Sequence, residues 1–331
     1  MLQLRDDRYN DIRLIFEEKA HKYYDTLGND FISTTTLLHK LQPKFDKDYW
    51  LKKKAKEYGM STARLEDKWN SITKEACDRG NVYHNSMEDG IRLASQFKSA
   101  VKYMKLPNGQ MITVADLPNI NMHIKELNIA EFIDSTENKF PEVYNIFQRY
   151  INNGYKIYSE IGVFLIDYLI SGTIDVLLVR DDKFVIGDWK TNRGGLQFTS
   201  GYYKKDKSTK PAQETNEWIE KDERLLPPLA HLQNCNGNIY NLQLSMYAKM
   251  VEIILGIPCA GMWLCHIDSD FILNDYGRPK RFGDLTYKVR KNPNPTTKIH
   301  VMKYLSQDID LILKERWLDV QATKISSNTL F

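Results

Sequence analysis

The sequence predicts a mixed α/β fold, with a central, partly antiparallel β-sheet flanked by helices. Three observations carry this. Residues 172–190 hold two apolar β-branched runs, Val176-Leu-Leu-Val179 and Phe184-Val-Ile-Gly187, around the polar turn Arg180-Asp-Asp-Lys183, which is the pattern of a β-hairpin. Apolar side chains occupy both faces of that hairpin: Ile174, Val176 and Leu178 on one, and Leu177, Val179, Phe184 and Ile186 on the other or on its partner strand, as in a sheet covered on both sides. Helical periodicity precedes the hairpin at 47–57 and 63–98 and follows it at 241–255.

Taken in order, residues 12–33 read as a strand, a turn at Leu27-Gly-Asn-Asp30 and a returning strand, and Thr34-Thr-Thr36 offers caps for a helix reaching about Leu41. The helices at 47–57 and 63–98 place Trp50, Trp69, Ile72 and Ala76 inward, with Gly80 as an interruption. A short hairpin is expected over 99–118 around Pro107-Asn-Gly109, and helix again over 121–152 with a break at Phe140-Pro141. A strand at 155–164 leads into the central hairpin. The polar stretch 193–238, rich in Lys, Ser, Thr and Asn and containing Pro227-Pro228, is expected to be an insertion whose first half is a mobile loop or flap. After the 241–255 helix come strands at 261–267 and 285–289. A last helix is capped by Ser306, with Ile309, Ile312, Leu313 and Trp317 as its apolar face. The expected organisation is one domain over 1–331: a helical N-terminal region over 1–150, a catalytic core over 151–270 carrying the 193–238 flap, and a C-terminal helical extension over 271–331.

With 331 residues, 42% of them hydrophobic and 27% charged, the chain can bury a large core and has the composition of an ordinary globular protein. It has no apolar run of the ~18 residues that crossing a bilayer needs. Residues 1–8 carry acids early and lack a signal core or transit pattern, so a cytoplasmic setting is expected. The net charge of +3 provides no global field for nucleic acid, so such affinity has to come from local patches: Lys52-Lys-Lys54 with Lys56, Lys204-Lys205 with Lys207 and Lys210, Lys280-Arg281, and 288–291. Cys77, Cys235, Cys259 and Cys265 form no C-x-x-C pair, which argues against a zinc ribbon.

The chemistry concentrates at Gly172-Thr-Ile-Asp175 and, thirteen residues after Asp175, Asp188-Trp-Lys190. A two-residue loop at Asp181-Asp182 sets Asp175 opposite Asp188 and Thr173 opposite Lys190. Opposed carboxylates about 5 Å apart repel, and a hard divalent cation offsets that repulsion. The period of two puts Lys190 on the same face as Asp188, with Trp189 pointing away. Upstream, His84 and Glu88 share a helix face four residues apart, as a surface pair or as ligands. Glu160 offers a further carboxylate at the sheet end. Downstream, Gln243 and Tyr247 share a face one turn apart, as hydrogen-bonding partners for a phosphate or for the lysine, or as components of an amphipathic surface.

In this order, Gly80-x-x-x-His84-x-x-x-Glu88, Glu160, Gly172-x-x-Asp175, Asp188-x-Lys190 and Gln243-x-x-x-Tyr247 resemble the RecB-type branch of the PD-(D/E)xK nuclease superfamily over residues 80–250. The block with Ile32-Ser-Thr-Thr-Thr36, Trp69 and Ala76 is similar to bacteriophage-encoded members and to the mitochondrial genome-maintenance exonuclease group. The resemblance implies a restriction-endonuclease-like core and a Mg²⁺- or Mn²⁺-dependent DNA exonuclease. His84, Asp175, Asp188 and the Trp189 carbonyl would bind the metal, and Lys190 would position water and stabilise charge. Gln243 and Tyr247 would orient Lys190 or the phosphate, and Glu160 matches a more variable acid. The cluster-binding members carry a closely spaced C-terminal cysteine set that this chain lacks, so no iron-sulfur cluster is expected. Substrate contacts are expected from Thr173 and Thr191 and, by stacking on bases, from Tyr202, Tyr203 and Trp218. The implied partners are DNA, single-stranded or with free ends, and phage recombination or replication proteins. A structure-specific endonuclease and a non-catalytic DNA-binding recombination module are the alternatives.

Overall fold

The computed structural model describes all residues except 1, 5–7, 9–11, 18, 19, 21, 96–99, 107, 110, 117–125 and 329–331. Along the chain run β1 (Leu2–Gln3), β2 (Leu14–Glu17), β3 (Lys22–Asp25), β4 (Asp30–Ser33), α1 (Thr34–His39), α2 (Lys47–Tyr58), α3 (Thr62–Ala94), β5 (Ala100–Lys105) and β6 (Met111–Asp116). Next are α4 (Ile129–Ser135), α5 (Pro141–Asn152), β7 (Lys156–Leu165), β8 (Ile170–Arg180) and β9 (Lys183–Lys190). They are followed by β10 (Gly201–Asp206), β11 (Gln213–Glu220), α6 (Asn236–Leu255), β12 (Cys259–Asp268), β13 (Thr296–Met302) and α7 (Ser306–Asn328).

The mixed α/β expectation holds. One large sheet runs β13-β12-β9-β8-β7-β1-β6-β5, and β2, β3 and β4 join it through β8. β7, β8 and β9 form an antiparallel meander, whereas β9 and β12 are parallel. Parallel neighbours need a crossover, and α6 provides it. One face of the sheet packs Leu177, Phe184 and Ile186 against Leu242, Met246 and Met250 of α6 and Ile309 and Ile312 of α7. The other packs Val176, Leu178, Val185 and Trp189 against Met87 and Ile91 of α3 and Val143 and Phe147 of α5. The sheet is therefore covered on both sides, as its two-sided apolar pattern required.

Several expectations change. The N-terminal region is not purely helical, because β1–β6 lie within it. β2 and β3 split what read as one strand, and the cap of α1 is Ser33, whose side chain accepts from the Thr36 N–H, rather than the threonines after it. α3 runs unbroken through Gly80. Ala76, expected inside, is exposed, and Ile72 is half-buried. Apart from Gly80, burial on α3 falls at Leu65 near its start and between Met87 and Ala94 at its end, because the helix spans two separate packing contacts.

The 99–118 hairpin forms as β5 and β6, with Pro107 outside the described residues, as are 96–98 and 121–125 of the adjoining predicted helices. α6 starts at Asn236, earlier than its periodicity indicated. The 285–289 strand is reduced to isolated bridges, Phe271 with Val289 and Arg281 with Tyr287. The C-terminal extension is not simply helical, since β13 pairs antiparallel with β12. On α7, Ile309, Ile312 and Leu313 are buried, but Trp317 is 45% exposed. Val320 takes the inward place because the core face, followed at helical spacing, reaches 320 and passes 317 on its flank.

Candidate functional site

The hairpin turn holds the register that its two-residue loop predicts: Arg180 pairs with Lys183, and the ladder proceeds through Leu178 with Val185 to Val176 with Gly187. There it stops. Asp175 is not paired with Asp188, and Thr173 is not opposite Lys190. At the other end of β8, Ile170 and Ser171 pair in parallel with Ile32 and Ser33 of β4. Among the described residues, 172–175 therefore have no strand partner on this edge, and the sheet forks between β4 and β9. In place of a ladder bond, the Asp175 carboxylate accepts the Trp189 N–H at 3.0 Å.

A second irregularity lies at the same level. On β7, Tyr158 and Ile161 face the same core, and on β8, Leu177 and Ile174 face that core too. Strict alternation separates such residues by two, so each strand carries one extra residue between them. On β8, Ile174 thus joins the face of Leu177 and Val179 instead of the face of Val176 and Leu178 expected for it. The interruptions coincide at Glu160 and Asp175, so the same register resumes from Ile161 with Ile174. Glu160 adopts φ +52°, a left-handed conformation that is sparsely populated for a residue with a side chain. It sits in mid-strand, not at the sheet end.

Into this gap α3 brings His84. Its Nδ1 lies 3.6 Å from Asp175 Oδ2, and one donor atom from each of His84, Glu160 and Asp175 lies within 4.8 Å of the other two. Gly80, one turn earlier, allows the approach: a Cβ there would stand 3.0 Å from Thr191 Oγ1. Asp188 is buried on the α6 face and forms an ion pair with Lys190. The structure thus gathers Glu160 with His84 and Asp175, while Asp188 pairs with the lysine and still reaches the Asp175 side chain, although the two residues are not paired in the ladder. Trp189 packs its ring against Phe147 and Trp263 and presents its backbone to the site.

The electrostatics are those of acids crowded without enough positive charge. Burial, reinforced by Asp175, Glu88 and Asp188, holds the Glu160 carboxyl well above the usual range. Burial also raises Asp175, against the opposing effects of Lys190 and the Trp189 N–H. It pushes Asp188 up to about 6, with Lys190 lowering and Asp175 raising it. Burial works against the Lys190 charge, but Asp188 and Asp175 outweigh it and the ammonium is favoured. His84 is shifted down, chiefly by burial, while Asp188 pulls the other way, so its ring is neutral at pH 7. A neutral imidazole with carboxylate oxygens is a donor set that suits Mg²⁺ or Mn²⁺.

α6 closes the site from the other face. Gln243 Nε2 donates to the Tyr247 hydroxyl at 3.4 Å. Tyr247 is buried, which raises its pKa and keeps it a neutral donor. Its ring rests on Gly172, where a Cβ would come within 2.5 Å of Cε1. Thr173 pairs with Gly162 and hydrogen-bonds the Tyr23 hydroxyl.

Sequence reasoning passed over Tyr240 and His266. Lys190 Nζ sits 5.1 Å from the Tyr240 ring centre, and the Tyr240 hydroxyl is 3.5 Å from Asn192 Oδ1. His266 Nε2 bonds the Asn192 carbonyl oxygen at 2.8 Å. Tyr240 lies one turn before Gln243 and two before Tyr247, a spacing that extends the same helix face and could have flagged it. His266 carries no such signal, because only the parallel pairing of β12 with β9 sets it beside Lys190.

The 193–238 insertion is structured in its first half, where β10 and β11 form a two-stranded ribbon. Tyr203 and Trp218 stack edge-to-face at 4.9 Å, and Arg278 covers Tyr203 at 3.6 Å. These two rings are engaged within the ribbon, and Tyr202 is the exposed one of the three predicted stacking residues. No protein-family model, curated protein or solved structure matches the chain. Among the described residues, no helix is long and apolar enough to cross a membrane.

Proposed function

We propose that this protein is a Mg²⁺- or Mn²⁺-dependent deoxyribonuclease of the PD-(D/E)xK type, acting on DNA ends as an exonuclease in phage DNA replication, recombination or repair. The observation that carries the reading is the meeting of His84, Glu160 and Asp175 within 4.8 Å, beside the buried Asp188–Lys190 pair. Such a concentration of carboxylates on strands covered by apolar layers is costly unless a cation joins them.

His84, Glu160 and Asp175 would hold the metal, with Asp188 and the Trp189 carbonyl at its border. When bound, the metal supplies charge neutralisation and lowers the pKa of a water. Lys190 places a fixed positive charge where the attacked phosphate accumulates negative charge. The Tyr240 ring and the Asp188 carboxylate set the direction of its ammonium. The Tyr247 hydroxyl, held by Gln243, is a neutral donor for a phosphate oxygen. Thr191, against Gly80, lies where α3 meets the end of β9.

The test is digestion of 5′- and 3′-labelled linear DNA beside covalently closed circles, with Mg²⁺, Mn²⁺ or EDTA. The reading expects metal-dependent loss of linear DNA, intact circles, no cleavage by Asp188→Ala, and cleavage cut roughly 100- to 1000-fold by Lys190→Ala, with both variants folded. Undiminished metal-dependent cleavage by Asp188→Ala overturns the site assignment. Cut circles overturn the restriction to ends.

A further inference from the structure

Beyond Lys190 the chain leads directly into a line of alternating cations and rings. Arg193, three residues on, places its guanidinium 3.7 Å from the Tyr287 ring centre. Tyr287 in turn lies in the fields of Arg193, Arg281 and Tyr58. Arg281 stands 5.1 Å from the Tyr58 ring centre and donates from Nη1 to the Tyr58 hydroxyl at 2.9 Å. Lys54 approaches the same ring at 5.9 Å. Arg278, over Tyr203, flanks the line beside Gly194.

These groups come from α2, the segment after β9, the ribbon and the 278–288 loop, segments far apart in sequence and fastened together. The Gln213 side chain pairs with the Arg281 backbone through bonds of 2.7 and 2.9 Å. The Glu214 carbonyl accepts from Asn274 at 2.9 Å. Leu285 is buried with Leu51, Ala55 and Leu65.

Converging cations repel, and the local acids do not balance them. Glu57 is 2.6 Å from Lys54, and Glu214 is 3.3 Å from Arg193. Arg281 Nε is enclosed without an acceptor among the described residues. Lys205, exposed on β10 across from Glu214, has its proton affinity lowered by desolvation of its ammonium and by the fields of Arg281 and Lys54, against the opposing pull of Glu214 and Glu57. Such an arrangement fits a polyanion that supplies the missing negative charge. Cations cover the Tyr58 and Tyr287 rings as Arg278 covers Tyr203, but Tyr202, three residues before Lys205 on β10, is 49% exposed, and its ring narrows the choice. A duplex keeps its bases stacked inside, whereas a single strand offers phosphates to cations and unstacked bases to aromatic faces.

We infer that Arg193, Tyr287, Arg281, Tyr58, Lys54 and Lys205 form a track that holds a single nucleic-acid strand along its phosphates, leading away from the Lys190 centre. The track rests on the nuclease reading for its purpose but has its own test. Binding of labelled oligothymidylate is measured in EDTA over a salt series, beside a duplex and an abasic deoxyribose-phosphate oligomer of equal length. Lys54→Gln, Lys205→Gln and Arg281→Gln are each expected to weaken strand binding roughly three- to tenfold and to reduce the salt slope by ~0.7. Lys298→Gln, on β13, is expected to bind as the parent does. The two substitutions of lysine change only side-chain tips, so an unfolded Arg281→Gln leaves them to decide.

Parental binding by both lysine variants overturns the track. Equal affinity for the duplex or the abasic oligomer overturns its single-strand character. If no metal supports cleavage of any DNA while these losses in binding persist, the nuclease reading fails and the track stands. If the lysine variants bind as the parent while Asp188→Ala alone abolishes cleavage, the track fails and the nuclease reading stands.

Discussion

The two ends of the β8–β9 hairpin are built from the same pair of strands and behave in opposite ways. At the turn, Arg180 forks onto Asp182 at 2.7 and 2.9 Å, the ladder is complete from Val176 to Arg180, and apolar side chains fill both faces. At the open end the ladder is missing, β7 and β8 each carry an extra residue, and a carboxylate takes the place of a backbone acceptor. The closed end is stabilised by burial, and the open end holds buried charges that repel one another. The difference shows how an unfavourable cluster persists: the closed end, the meander and both apolar layers over-determine the position of the open end.

That contrast predicts different losses at the two ends. Truncation at the closed end, Leu177→Ala, should cost about 2–5 kcal/mol of stability through lost burial and a residual cavity. Its chemical denaturation midpoint should fall by the same amount with and without Mg²⁺, since it touches no charge.

At the open end, Lys190→Ala should lower metal-dependent cleavage by roughly 100- to 1000-fold. A pre-steady-state assay at saturating DNA checks it, and the loss should lie in the rate rather than in affinity for the strand.

Gly172→Ala should cost about 1–3 kcal/mol, because the added methyl meets the Tyr247 ring in a filled site. Its mark is a displaced Tyr247, visible as a changed tyrosine environment in near-UV circular dichroism, whereas an equal loss at Leu177 should leave that signal in place.

The last expected effect is a pH dependence of the metal-free protein, on the order of a few kcal/mol. The Glu160 carboxyl keeps its proton in the fold after the unfolded chain has released it, because burial and the Asp175 charge raise its pKa. The folded state then binds the extra proton, so stability is greatest below the ordinary glutamate range and declines as pH rises through neutrality. Glu160→Gln should flatten this decline in melting temperature measured in EDTA, and should reduce the rise that Mg²⁺ produces in the parent. A parent whose metal-free stability increases between pH 5 and 8 would contradict this account.

Legibility in the sequence followed the distance over which each feature is encoded. The closed end could be read because alternation and a two-residue turn are local. His84 with Glu88, and Gln243 with Tyr247, could be placed on shared faces because a helix repeats every ~3.6 residues. The same alternation misplaced the open end: extended beyond Val176 it sets Asp175 against Asp188, but the fork to β4 ends the ladder first. Glu160 read as a further carboxylate at the sheet end, not in mid-strand, since nothing near it in sequence marks a left-handed residue opposite Asp175. The ribbon read as a mobile loop because its polar strands lack an apolar face, and its order comes from Trp218, Arg278 and the 270–290 segment.

By itself, then, the sequence determined the sheet covered on both sides, the register of the hairpin at its turn, and which helix faces carry polar groups, all consequences of side-chain periodicity. The tertiary structure alone decided that Glu160 joins His84 and Asp175, that Asp188 pairs with Lys190 beside Tyr240, and that the basic track forms. Each depends on how closely separate elements approach, and at the site Gly80 and Gly172 set the approaches of Thr191 and Tyr247 through the absence of a side chain, which no periodic pattern records.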